Sequence, residues 1–165
     1  MALIAIIDDD PDIVEASKLV LKSRGFSVVS AGNPDDGYRI IQGNKPDLII
    51  LDVMMNEPDD GFFLAQKLRK EKITTPILMY TSISKAIGFD FGNSEMVPVD
   101  DFVEKPISPD ELIQKVQNLL KKKKGGGNAF NRKEFANRTD RDLDTEIWFR
   151  PFGFITYSPG SAEKI

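Results

Sequence analysis

Stretches of nearly unbroken apolar residues alternate along this chain with stretches whose apolar residues recur every three or four positions. Leu3 to Ile7 is wholly apolar and stops at Asp8-Asp9-Asp10-Pro11; Leu48 to Leu51, entered through the breaker Pro46, stops at Asp52. Pro76 to Thr81 is a third run and ends on a hydroxyl, and Phe102-Val103 is a brief fourth that ends at Glu104-Lys105-Pro106. Short continuous apolar runs between breakers predict strands buried on both faces, and the looser alternation of Phe26 to Ala31 predicts one more. Helical spacing runs from Asp12 to Arg24 through Ile13, Val14, Leu19, Val20 and Leu21, with Gly25 where a helix C-terminus favours it. Asn33-Pro34 opens a helix to about Gln42, with proline at its first position. A turn from Asn56 to Gly61 leads into a helix from Phe62 to about Glu71. Ser108-Pro-Asp-Glu111 has the cap, the proline and the acidic first turn of a helix start, and that helix runs through Leu112, Ile113, Val116, Leu119 and Leu120 into Lys121 to Lys124. Ser84 to Val99, with Gly88, Gly92 and Pro98, predicts a helix that is short or irregular.

Five strands alternating with five helices predict an α/β fold whose parallel sheet is covered on both faces. Right-handed crossovers leave few ways to wind it, and the common one is the flavodoxin-like, doubly wound, five-stranded order 2-1-3-4-5. In that order the ends of the first and third strands lie side by side at the switch point, so Asp8, Asp9 and Asp52 are expected in one cleft. Gly125-Gly-Gly-Asn128 then reads as a linker. The expected organisation is therefore a domain over 1–124 followed by a linker and tail over 125–165. The tail packs five aromatics between Glu146 and Tyr157 but is too short for a core of its own, so a flexible or loosely docked segment is expected.

Composition narrows the chemistry. With no Cys and no His, thiolate chemistry, disulfides, the commonest metal ligand and the usual general base are all excluded. No apolar run approaches the roughly 20 residues of a membrane span, and the chain opens on a strand-like run rather than a signal peptide, so a cytoplasmic protein without membrane contact is expected. Charge is unevenly divided: residues 1–120 hold 12 Lys and Arg against 20 Asp and Glu, a net of −8, while residues 121–165 hold 10 against 6, a net of +4. An acidic body repels phosphate backbones, so direct nucleic-acid binding is not expected, and output through a downstream protein target is.

Three acidic side chains gathered in one pocket repel one another, and a divalent cation removes the conflict. An all-oxygen site suits Mg²⁺ or Mn²⁺. Asp10 alone is explained as a helix N-cap. Thr81 and Lys105 end neighbouring strands and face the same cleft. A cation, an ammonium and a hydroxyl around one carboxylate are the parts needed to place a phosphoryl group on that carboxylate, because such transfer relies on positioning and charge neutralisation.

The stretches Ile6 to Pro11, Pro46 to Met55, Ile77 to Ser82 and Phe102 to Ile107 closely resemble the hallmarks of the response-regulator receiver domain, the CheY-like family, over about Met1 to Lys122. The resemblance implies Asp52 as phosphoacceptor, Asp9 as a direct metal ligand, Asp8 as a ligand mainly through water, and the Met54 backbone carbonyl as a further ligand. It implies that Thr81 bonds the phosphoryl oxygen, that Lys105 pairs with it, that Phe102 is the switch aromatic, and that the Lys105-Pro106 bond is cis. The partner it implies is a sensor histidine kinase or phosphotransfer protein, and the role is that of a signalling domain, not of an enzyme acting on other substrates. Two departures stand out: the Asn56 to Gly61 loop is one residue longer than usual, with Asn56 where proline is common, and glycines interrupt the helix before Phe102. Two rivals remain open. One is a haloacid-dehalogenase-like phosphatase with Asp8 as nucleophile, against which Asp12 stands where Thr or Val is typical. The other is a receiver-shaped binding module that no longer uses phosphate.

Overall fold

In the computed structural model, the described residues are 1–82, 98–124, 149–150 and 153–154. The chain divides into two compact units, Met1–Ala129 and Phe130–Ile165. In the first, strands β1 (Leu3–Ile7), β2 (Ser27–Ala31), β3 (Leu48–Leu51), β4 (Ile77–Thr81) and β5 (Asp101–Glu104) alternate with helices α1 (Pro11–Ser23), α2 (Pro34–Asn44), α3 (Asp60–Lys70) and α4 (Pro109–Lys124). All neighbouring strands pair in parallel, in the order β2-β1-β3-β4-β5. This is the flavodoxin-like order expected from the apolar runs. The helix expected within 84–99 lies almost entirely outside the described residues. In the second unit, β6 (Phe149–Arg150) pairs antiparallel with β7 (Gly153–Phe154), and the rest of the expected tail lies outside the described residues.

The continuous apolar runs are divided by the pleat into two cores. Ala5, Ile7, Ile49, Leu51, Ile77 and Met79 face one way and pack with Ile41 of α2 and Leu64 and Leu68 of α3. Ile4, Ile6, Leu48, Ile50, Leu78 and Tyr80 face the other and pack with Leu21 of α1 and Leu112, Val116 and Leu119 of α4. A sheet so covered needs apolar side chains at every position of its central strands, which is why Leu48–Leu51 shows no alternation.

The helix starts are set locally. The Asp10 carboxylate accepts from the backbone N–H of Asp12 at 2.9 Å and of Ile13 at 3.3 Å, and Asn33 caps α2 by accepting from Asp36 N–H at 2.9 Å. Ser108 and Glu111 form the reciprocal pair that opens α4. Gly25, at φ +83°, supplies the left-handed turn after α1 that a side chain would resist. The end of the sheet away from the strand carboxyl termini is tied by side chains. Arg69, only 14% exposed, donates to the carbonyls of Pro98, Ile73 and Thr75 and pairs with Asp100 at 2.8 Å, and Asp100 accepts in turn from Ile77 N–H. Asp47 exchanges hydrogen bonds with the backbone of Leu3, and Lys123 at the end of α4 reaches the same carboxylate at 3.3 Å.

Candidate functional site

The strand order brings the last residues of β1, β3, β4 and β5 to one edge of the sheet. Asp8 follows β1 and Asp52 follows β3. Because Ile7 pairs with Leu51, the two carboxylates emerge side by side, and Asp52 N–H donates to Ile7 C=O at 2.9 Å. Asp8 is 2% exposed and Asp52 6%, whereas Asp9 is exposed. One carboxylate oxygen from each of Asp8, Asp9 and Asp52 lies within 4.8 Å of the others. Thr81 ends β4, buried, and its carbonyl accepts from Lys105 N–H at 2.8 Å. That bond and the Thr81–Glu104 pairing deliver Lys105 to the cleft. Its ammonium lies 2.5 Å from the Asp8 carboxylate and 3.5 Å from that of Asp52. The Lys105-Pro106 bond is cis, as the resemblance implied.

Of the residues singled out from the sequence, Asp8, Asp9, Asp52 and Lys105 are thus drawn into one cluster, and Thr81 stands at the adjacent strand end. Met54 follows Asp52 by two residues in the loop leading to α3 and is 41% exposed. Phe102 lies on β5 opposite Met79, half-buried against the core shared with α2 and α3.

Electrostatics set Asp52 apart. Burial raises its carboxyl well above the usual range, to about 6; Lys105 pulls it down, Asp8 pushes it up, and Val53 N–H bonds to it and lowers it. One ammonium cannot neutralise three carboxylates, two of them buried, so the cluster retains negative charge in a desolvated place. That surplus fits a hard divalent cation, and the oxygen-only donor set fits Mg²⁺ or Mn²⁺ over softer metals.

One residue that shapes the cleft reads from the sequence only as part of a turn. Gly61 sits in the first turn of α3, and its N–H donates to Val53 C=O at 2.9 Å. A Cβ there would stand 2.0 Å from the carbonyl oxygen of Asp52 and 2.8 Å from Val53 Cα. The helix therefore rests directly on the peptide that carries Asp52, which only glycine allows. The available signal was a glycine inside a helix start, where it costs helix stability and so calls for a packing reason.

Residues 4–117 match the family described as the response regulator receiver domain. The chain is 32% identical over 123 residues to the alkaline phosphatase synthesis transcriptional regulatory protein PhoP of Bacillus subtilis, covering 72% of this chain and 48% of that protein. It is 33% identical over 159 residues to the DNA-binding dual master transcriptional regulator RpaA of Synechocystis sp., covering 90% and 63%. Among solved structures, the receiver domain of the Francisella response regulator 1452 aligns with a TM-score of 0.66 at 29% identity, over 74% of this chain and 99% of that one. A CheY-like receiver domain protein from Methanospirillum hungatei JF-1, at 24% identity, matches in fold with a TM-score of 0.68 over 77% and 99%.

These relatives correct one expectation. The acidic balance of residues 1–120 argued against nucleic acid, yet RpaA is described as DNA-binding, and PhoP and the SrrA protein of Staphylococcus aureus as transcriptional regulatory proteins. The net charge of one domain speaks only for the residues counted, and this chain spans about half the length of the PhoP protein it matches. Among the described residues no helix is long and apolar enough to cross a membrane. With its signature residues meeting at one sheet edge and its family match covering most of its length, the chain belongs to the response regulator receiver domain family.

Proposed function

We propose that this receiver is the phosphoacceptor of a two-component phosphorelay in the cytoplasm, with Asp52 taking a phosphoryl group from a phosphohistidine on a sensor histidine kinase or phosphotransfer protein. The observation that carries this reading is the meeting of Asp52 with Asp8, Asp9 and Lys105: three carboxylate oxygens within 4.8 Å and an ammonium 3.5 Å from the acceptor. An Asp52 oxygen forms the new O–P bond while the donor's P–N bond breaks, its electron pair staying on the imidazole nitrogen. Asp8, Asp9 and the Met54 carbonyl, with Asp52, would hold Mg²⁺ or Mn²⁺, which when bound offsets charge on the transferring oxygens. Lys105 shifts toward the phosphoryl oxygens, and Thr81 bonds one of them. Phe102 then repacks from its half-buried place against the core, changing the face that β5 presents to a partner. The activity is confined to the domain's own phosphorylation and dephosphorylation, and by likeness to PhoP and RpaA the output bears on transcription.

Treatment with acetyl phosphate and Mg²⁺ followed by mass mapping of the acyl-phosphate tests this. Label is expected on Asp52, absent in Asp52→Asn and absent when the cation is chelated. Label on Asp8 would favour a phosphatase of the haloacid-dehalogenase type, and no label with Mg²⁺ present would favour a module that no longer uses phosphate.

A further inference from the structure

Tyr80 immediately precedes Thr81 in β4 and points to the opposite side of the sheet. It is 6% exposed and packs with Leu112 and Ile113 of α4. An aliphatic side chain would suit that core, so a buried hydroxyl there needs a partner. The backbone N–H of Ile107, two residues beyond Lys105, stands on the side of that hydroxyl and favours its ionised form, against the burial that disfavours it. The ring itself lies beneath the Lys105 ammonium, 5.1 Å from Nζ to the centroid, within cation–π range. The ring is therefore the contact by which this side chain meets Lys105.

We propose that Tyr80 is the positioning residue of Lys105, its ring carrying the ammonium. The inference rests on the reading of Lys105 as the partner of a phosphoryl group on Asp52. When a cation draws on the Asp8 carboxylate, Lys105 loses part of its nearest partner, and a lysine stem has many rotamers to explore. An aromatic face attracts the ammonium without neutralising it, so the charge stays beside Asp52 and available to an anionic oxygen. A carboxylate in the same place would compete with the phosphoryl group. Tyr80 touches neither the phosphoryl group nor the acceptor; it acts through Lys105.

The test uses the full chain with Tyr80→Leu and Tyr80→Phe. In wild type the Lys105 side-chain methylene resonances are expected upfield of random-coil positions because of the ring current; Tyr80→Phe keeps that shift and Tyr80→Leu loses it. Affinity for beryllofluoride in the presence of Mg²⁺ is expected to fall about fivefold in Tyr80→Leu and less than about twofold in Tyr80→Phe, with affinity for Mg²⁺ alone within about twofold throughout. A purely structural role would lower the melting temperature and leave the beryllofluoride affinity of the folded Tyr80→Leu protein within about twofold of wild type, overturning the proposal. If Tyr80→Leu does not fold, Lys105 methylene signals at random-coil positions in wild type overturn it. If wild type takes no label on Asp52 while its Lys105 methylene resonances lie upfield of random-coil positions, the ring's hold on Lys105 stands and the phosphoacceptor reading falls.

Discussion

Lys105 reaches two buried carboxylates at once, and Asp52 is the one left short of positive charge. Its carboxyl holds its proton to about pH 6 in the folded protein against 3.8 for the ordinary group, so the native state binds more protons than the unfolded state across that interval. Stability conferred at Asp52 is therefore present below 3.8 and lost as pH rises through 6. Asp52→Asn, which cannot ionise, is expected to stabilise the cation-free protein at neutral pH by at most about 3 kcal/mol, the energy of a two-unit shift. Melting in a chelating buffer checks this: the gain should shrink toward zero as pH approaches 3.8. Lys105→Met has the opposite sign, because it leaves Asp8 and Asp52 facing each other in a desolvated cleft. It is expected to cost about 3–5 kcal/mol, read as a lowered denaturation midpoint that recovers in part with added Mg²⁺.

At the level of elements, α3 is the piece that the acceptor peptide leans on. Gly61→Ala places a methyl group 2.0 Å from the Asp52 carbonyl oxygen, and since the nearest atoms are all backbone, of Asp52 and Val53, the helix start or the Asp52 peptide has to move. The expected result is a loss of at least about 2 kcal/mol in stability together with weaker Mg²⁺ binding, measured by calorimetry on the folded protein. Much at this level could be read from the chain alone. The stops at Asp8, Asp52, Thr81 and Lys105 were visible because a buried strand must end where polarity returns, and the helix starts at Asn33 and Ser108 because their caps are local. What could not be read is contact between distant segments. Nothing in the local pattern near Gly61 says that the Asp52 carbonyl will lie against it, and Tyr80 reads as one more strand residue until β5 brings Lys105 above its ring. Boundaries moved for a similar reason: α3 begins at Asp60, not Phe62, and β5 spans Asp101–Glu104, because pairing with β4 and packing on the sheet extend elements past their apolar residues.

For the molecule as a whole, residues 1–124 are expected to fold alone. Among the described residues their two cores are built from the sheet and α1 to α4, and the α4 end is fastened by Lys123 to Asp47. A truncation after Lys124 should melt in a single transition close to that of the full chain; a drop of more than a few degrees would assign residues 125–165 a share in stability. The charge argument, by contrast, fails at this scale, since the sign of one domain does not extend to relatives about twice its length. Arg69 has a consequence for how the domain can respond. Its guanidinium joins the end of α3, the start of β4 and the approach to β5 through partners that are mostly backbone. Deuterium uptake at the amides of Ile77 and Asp100 should therefore be slow and indifferent to the state of the acceptor, so that whatever the domain reports to its surroundings is written at one pole, while the other serves as the fixed reference against which the change is read.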